Sequence, residues 1–301
     1  MLRNRALAIA AVASSSVLAL TACGSDSLSE GSGSTSSTSA VATSGPDEAL
    51  VAQLPENIAS AGKIVVGTDA SYAPSEFLAA DGETVEGFDV DLFDAVAAKF
   101  GVTVEWQPAK FDAIIAGVQG GKYDMGVSSF TINDDRKKVV NMVSYFNAGT
   151  QWAVAPGNPK NVDPEKPCGL KVAVQQGTVQ QEEDLPPKQD ACTSEGSPID
   201  ILVYEGQDEA TAAVATGKAD AMLADSPVVA YAVQQSDGKI EAAGDIYDAA
   251  PYGYVVPQDQ ADFAQAIADA LTALDSSGDY TTILGNWGVE AGAISDFAVN
   301  P

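Results

Sequence analysis

From residue 57 onward, short apolar runs alternate with stretches of helical periodicity. Lys63-Ile64-Val65-Val66-Gly67-Thr68-Asp69 reads as a buried strand. Asp89 to Phe100 reads as a helix, with Val90, Phe93, Ala97 and Phe100 on one face and Gly101 after its end. Val102 to Trp106 is a second strand. Phe111, Ile114, Ile115 and Val118 form the next helical face, stopped by Gly120-Gly121, and Tyr123 to Ser128 is a third strand. The pattern then restarts. Strands are predicted at Leu170–Val174, Ile199–Tyr204 and Ala219–Ala224, and helices at Glu209–Thr216 and Pro227–Gln235, the latter with proline at its start. Strands alternating with helices predict parallel sheets covered on both faces, an α/β fold.

An internal echo points to two lobes of one plan. Val118-Gln-Gly-Gly121-Lys122-Tyr-Asp124 matches Val214-Ala-Thr-Gly217-Lys218-Ala-Asp220, both V-x-x-G-K-x-D. In each copy a helix ends at glycine, lysine faces the C-terminal carbonyls and a strand begins. After residue 245 the order changes. Pro251 to Pro257 is a Tyr/Val-rich strand, Ala261 to Leu274 is a helix with Phe263, Ile267, Leu271 and Leu274 on one face, and a second helical run leads to Trp287. This tail is expected to return to the first lobe.

The first residues follow different rules. Arg3 and Arg5 precede an apolar stretch, Ala6 to Leu20, which ends in Leu20-Thr21-Ala22-Cys23. That tetrapeptide resembles a bacterial lipobox, so residues 1–22 are expected to be a lipoprotein signal peptide and Cys23 to carry the lipid. Residues 24–46 are rich in Ser, Gly and Thr and read as a flexible tether, roughly 25–30 Å long as a coil. The tether is assigned to 23–56 with the lipidated cysteine.

Composition narrows the function. The chain has 301 residues, 42 Asp+Glu against 15 Lys+Arg, no histidine and three cysteines. Removing residues 1–22 takes away two arginines and no acid, so the formal charge moves from −27 to −29. This acidity argues against nucleic acid as a partner. The absence of histidine excludes Ser-His-Asp and Cys-His catalysis and histidine-ligated metal. No metal or cofactor is expected. Cys168 and Cys192 remain in an exported chain and are expected to form one structural disulfide, worth roughly 3.5 kcal/mol in the chain-entropy model.

Ligands of open α/β sheets sit at strand carboxyl ends and helix N-termini. Those ends carry Asp69 and Tyr72, then Ser128, Ser129 and Thr131, then Gln175 and Thr178, and finally Asp225. Arg136 sits in the first turn of a helix announced by Asn133-Asp134-Asp135, where the macrodipole disfavours a cation. It either pairs with those acids or grips an anion as a guanidinium fork. Asp225 either caps the helix after it or holds a cation. An arginine and an aspartate facing each other across a cleft would suit a zwitterion.

GTDASYAPSEF (67–77), VEGFDVDLFDAVAAKFG (85–101), FDAIIAGVQGGKYDMGVSSFTINDDRKKVV (111–140), VAVQQGTVQ (172–180) and ADAMLADSP (219–227) resemble the solute-binding lipoproteins of polar amino-acid ABC importers. The resemblance covers nearly all of 57–290. It implies a two-lobed, periplasmic-binding-protein type II fold with two crossover strands, in which the lobes close on the ligand. Lobe one would take 57–152 and 248–301, and lobe two 153–247. Carried over by position, Arg136 would hold the ligand carboxylate with Ser129 and Thr131, Thr178 would contribute from the other lobe, and Asp225 would take the ammonium. Asp69, Tyr72, Phe88, Ser128 and Gln175 would surround the side chain. Ser75 and Gln175 depart from the aromatic and apolar residues common in the family, and Ala224 stands where some members carry His or Lys.

The resemblance implies a monomeric binding protein, not an enzyme, tethered at the outer face of the membrane by Cys23. Its partners would be a free amino acid and a permease. Asp69 near the side-chain end favours a polar or cationic ligand. Two other readings share the fold: an exported dehydratase of cyclic carboxylic acids, with Glu76 the nearest extra carboxylate, and a sensory lobe pair that signals through a membrane partner.

Overall fold

The structure is a computed structural model that describes residues 45–301. The expected signal peptide, Cys23 and most of the tether lie outside the described residues. Among the described residues, eleven strands form two sheets. The large sheet contains β1 (Lys63–Thr68), β5 (Thr103–Pro108), β6 (Met125–Gly126), β7 (Val140–Val154), β8 (Lys171–Gln175), β9 (Asp200–Tyr204), β10 (Ala221–Asp225) and β11 (Glu241–Pro257). Its order is β5-β1-β6-β11-β7-β10-β8-β9. A small antiparallel sheet contains β2 (Ser71–Tyr72), β3 (Glu76–Leu78) and β4 (Val85–Glu86).

The order of the large sheet makes the two lobes visible. β1, β5 and β6 pair in parallel at one end, and β8, β9 and β10 pair in parallel at the other. Between them run β7 and β11, long antiparallel partners that belong to both halves. Their register is irregular between Ala243 and Tyr247 and between Tyr247 and Ala250, where the ladder passes from one half to the other. Each half is covered on both faces, as alternating strands and helices require. Helices Phe88–Lys99 and Ala261–Ser277 bury Phe93, Phe263 and Leu271 on one face of the first half, and helix Phe111–Gln119 buries Ile114 and Val118 on the other. The second half has matching clusters around Met222 and Val229 and around Trp152 and Leu185.

The V-x-x-G-K-x-D echo is the same corner built twice. Gly121 and Gly217 have φ of +72° and +73°, ending helices Phe111–Gln119 and Gln207–Ala215. The next residue donates its backbone N–H back into the helix, Lys122 to Gly117 O at 2.9 Å and Lys218 to Ala213 O at 2.8 Å. The aspartates then clasp the first strand of each half. Asp124 Oδ2 accepts Val65 N at 2.8 Å, and Asp220 Oδ2 accepts Lys171 N at 2.9 Å. The backbone of each lysine, rather than its side chain, therefore satisfies the helix end.

The C-terminal tail packs against the first half. Helices Ala261–Ser277 and Asp279–Trp287 share its core, Tyr280 donates to the Tyr145 carbonyl, and Val299 bridges Val143. Two expectations need correction. The folded body starts by Asp47, within the stretch assigned to the tether: helix Glu48–Val51 buries Leu50 in the main core, and Asp47 N donates to Lys99 O. The strand expected at Tyr123–Ser128 shrinks to Met125–Gly126, because the chain turns into the cleft through Ser129 at φ +48°. Cys168 and Cys192 are bonded in the second half.

Candidate functional site

The carboxyl ends of β1, β6, β8 and β10 and the turns after them face one another across a cleft between the halves. At its centre is a small cavity, about 10 Å³, walled by Tyr72, Phe111, Ser129, Thr131, Arg136, Thr178, Val179, Gln180 and Asp225. Six of the residues expected at the site therefore meet here.

Arg136 reaches this cavity from helix Asp134–Lys137, whose first turn is capped by Asn133 accepting Arg136 N at 2.9 Å. It does not pair with the acids beside it, because Lys137 takes Asp134 and Lys138 takes Asp135. The guanidinium turns inward, donates to Thr131 O at 2.8 Å and Gly177 O at 3.1 Å, and stands 5.5 Å from the ring centroids of both Phe111 and Phe130. Burial lowers its pKa, offset in part by Glu182 and Asp225. A buried guanidinium held by carbonyls and rings keeps N–H groups for an anion.

Asp225 ends β10 and is also buried. Its side chain makes no capping bond to the helix that follows. It accepts instead from Tyr72 OH at 2.8 Å, Tyr252 OH at 2.7 Å and Gln180 Nε2 at 2.7 Å. Burial raises its pKa, and these bonds together with Arg136 oppose the rise. Gln180 opens a π-helical turn, Gln180–Asp184, which swings its amide toward Asp225 and Thr150.

The remaining expected residues lie beside the cavity or behind it. Asp69 clasps the mouth of lobe one, accepting Ser71 N at 3.0 Å, Ser71 Oγ at 2.6 Å and Phe111 N at 3.0 Å, and it reaches across to accept Gln175 Nε2 at 2.8 Å. Burial raises its pKa against those bonds. Gln175 Oε1 is buried with no donor. Ser128 Oγ accepts Asp69 N at 3.0 Å and donates to Glu76 at 2.9 Å. Thr178 Oγ1 donates to Gln175 O at 2.8 Å and its carbonyl accepts from Gln181 N and Glu182 N, which leaves its backbone N–H and methyl group for the cavity. Phe88 is not in the cleft. It is fully buried in the core of the first half, with its ring 4.9 Å from that of Phe146. Beside Tyr72, the aromatic on the cavity wall is Phe111, the first residue of its helix, just beyond the end of β5, where the strand-end rule could have found it. Gln180 and Tyr252 carried no such signal, because a π-turn and an antiparallel crossover place them.

Other cross-cleft bonds close the rim. Lys110 pairs with Glu205, Gln176 Nε2 donates to Asp112 at 2.7 Å, Asn133 Nδ2 donates to Glu183 at 2.6 Å, and Ser71 Oγ accepts Gln207 N at 3.0 Å.

The model of the bacterial extracellular solute-binding proteins, family 3, matches residues 64–290. The chain belongs to this family. As a family 3 solute-binding protein it is similar to the arginine-binding protein ArgT of Corynebacterium glutamicum, with 39% identity covering 85% of this chain and 84% of that protein. An ancestral arginine-binding protein bound to arginine shares the fold, with a TM-score of 0.69 and 31% identity over 75% of this chain and 98% of that one. So does an ancestral amino acid-binding protein described as a precursor of cyclohexadienyl dehydratase, with a TM-score of 0.68 and 32% identity over 77% of this chain and 98% of that one. Family membership and these likenesses establish the two-lobed type II fold.

Proposed function

We propose that this chain captures an α-amino acid with a polar or cationic side chain between its lobes and delivers it to the permease of an ABC importer. The observation that carries the reading is Arg136, a buried cation on the cavity wall whose hydrogen bonds run to carbonyls, with buried Asp225 lining the same cavity. Those charges match the two ends of a zwitterion. Arg136 takes the carboxylate with Ser129, Thr131 and the Thr178 backbone. Asp225 and Gln180 take the ammonium, and Tyr72 and Phe111 flank the side chain. Asp69 and the donor-free Gln175 Oε1 supply acceptors at its far end, where a guanidinium or terminal ammonium supplies donors. Arginine binding named for the relatives supports that ligand class.

Lobe one is taken as 57–152 with 248–301 and lobe two as 153–247, hinged on β7 and β11. Cys23 anchors the monomer at the outer membrane face by its lipid. The dehydratase reading needs a general acid or base beside the substrate. The cavity wall offers Asp225 as its carboxylate, while Glu76 is buried behind Ser128. Binding without turnover is therefore preferred.

A calorimetric and thermal-shift panel of the standard amino acids with ornithine, citrulline and cystine tests this. Arginine, lysine or ornithine should bind, and at a hundredfold excess over Kd should add about 2.7 kcal/mol of stability. A panel in which no amino acid binds, or in which prephenate is turned over, would overturn it.

A further inference from the structure

Two acids behind the cleft wall take no part in holding the ligand. Glu76 opens β3 and Asp89 lies in the first turn of helix Phe88–Lys99; both are fully buried. The backbone brings them together, since Asp89 N donates to Ser75 O and Phe88 N to Pro74 O, each at 3.0 Å. A Cβ at Gly87 would collide with the Ser75 carbonyl, so glycine is what permits this approach.

Each acid spends one oxygen on the loop that forms the cleft wall of lobe one. Glu76 Oε1 accepts Ser128 Oγ at 2.9 Å. Asp89 Oδ2 accepts Ser129 N at 3.2 Å, Ser129 Oγ at 3.3 Å and Tyr145 OH at 2.6 Å. The other two oxygens, Glu76 Oε2 and Asp89 Oδ1, are buried without a donor, while the two side chains lie within hydrogen-bonding reach of each other. Neither acid joins an ion pair among the described residues. Two adjacent carboxylates in such a place cannot both be charged. A proton on one of the two acids supplies the pair with the donor that it otherwise lacks.

We propose that Glu76 and Asp89 share one proton, and that this bridge is a positioning device that holds Ser128 and Ser129 in the shape the cleft requires. Ser129 needs such a hold, because its φ of +48° is one that non-glycine residues seldom adopt. The proton resides on Glu76. Asp89 has three donors and a helix N-terminus to stabilise its charge, and Glu76 has one donor. The directions agree: burial pushes Glu76 well above the carboxylate range and Asp89 up to about 6. The titratable groups facing the pair are Asp69 at the end of β1, Tyr72 on β2, Tyr145 on β7 and Tyr254 on β11, acids or phenols that cannot neutralise a second negative charge.

The affinity arm of the test rests on the amino-acid reading above; the spectroscopic and pH arms do not. Infrared spectra of the full chain near neutral pH should contain a protonated-carboxyl band that Glu76→Gln removes. In the wild type, stability conferred by the shared proton is full below the ordinary glutamate range, near pH 4.5, and declines as pH rises toward the raised value. The melting temperature of Glu76→Gln should lack that component of the decline. Glu76→Ala should bind L-arginine roughly tenfold or more weakly, because it leaves buried groups unpaired. Glu76→Gln should restore binding, since its amide donates to Asp89 and accepts from Ser128. An unchanged carboxyl band and an unchanged pH slope in Glu76→Gln would overturn the shared proton. Binding in Glu76→Gln as weak as in Glu76→Ala would overturn its positioning role. If the wild type binds no amino acid, the functional reading fails while the first two arms still decide the proton.

Discussion

Arg136 carries its charge into a buried wall with no acid bonded to it among the described residues, and Asp225 carries the opposite charge into the same wall. Removing either partner of a buried charge pair costs far more than removing a rim charge. Arg136→Ala should therefore weaken amino-acid binding by roughly 2–5 kcal/mol in calorimetry. Arg136→Lys should recover little of the loss, since an ammonium cannot reproduce the planar fork. Asp225 adds a pH signature. In the free protein its raised pKa confers stability that is full below the ordinary aspartate range and lost as pH rises through the raised value. A ligand ammonium has the opposite preference, because it favours the carboxylate. Binding should release a proton at acid pH, and affinity should fall as pH drops through the raised value. Calorimetry in buffers of different ionisation enthalpy measures this release, and an affinity flat across the acid range would contradict the ammonium role.

At the scale of the element, the repeated helix-to-strand corner invites a paired experiment. Gly121 and Gly217 have nearly the same φ, and a Cβ at either would meet nothing within 4 Å. Gly121→Ala and Gly217→Ala should each cost about 1–2 kcal/mol from the left-handed backbone alone. Denaturant melts should show similar losses for the two. A loss in one copy alone would mean that the corners are not equivalent. The glycine ends of these corners were legible in the sequence because a left-handed glycine after a helix is local chemistry; the aspartate clasps were not, since Asp124 and Asp220 accept from residues 59 and 49 positions away. The small β2-β3-β4 sheet and the π-turn at Gln180 were not, since strands of two or three residues and one widened turn are too short to leave a periodic pattern. Phe88 shows the same limit. The family resemblance placed it beside the ligand, but this fully apolar side chain on the core side of its helix is buried instead.

Across the whole molecule, closure is shared among weak rim contacts and strong interior ones. The Lys110–Glu205 pair joins the lobes but is more than half exposed on both sides. Exposed pairs contribute about 0.2–1 kcal/mol and are screened by salt. Lys110→Ala should change amino-acid affinity by no more than about 1 kcal/mol, far less than Arg136→Ala. Calorimetry at low and high salt checks both the size and the screening. A loss as large as that of Arg136→Ala would place the energy of closure at the rim.

The sequence by itself determined what depends on neighbours along the chain: the alternation that makes covered parallel sheets, the glycine-ended helices, the strand ends that carry Ser129, Thr178 and Asp225, and the short helix that carries Arg136. Cys168 and Cys192 also announced themselves, though their bond joins residues 24 apart. Only the tertiary structure decided that Arg136 turns away from Asp134 and Asp135, that Phe111 rather than Phe88 walls the cavity, and that Tyr252 reaches Asp225 from a crossover strand. It also decided that Glu76 and Asp89, anonymous acids in a chain with many, meet fully buried behind the cleft wall. The physical reason is common to all of these. Whether a charge or ring is solvated, paired or buried depends on groups brought from the other lobe or the other strand, and residue spacing alone does not encode that distance.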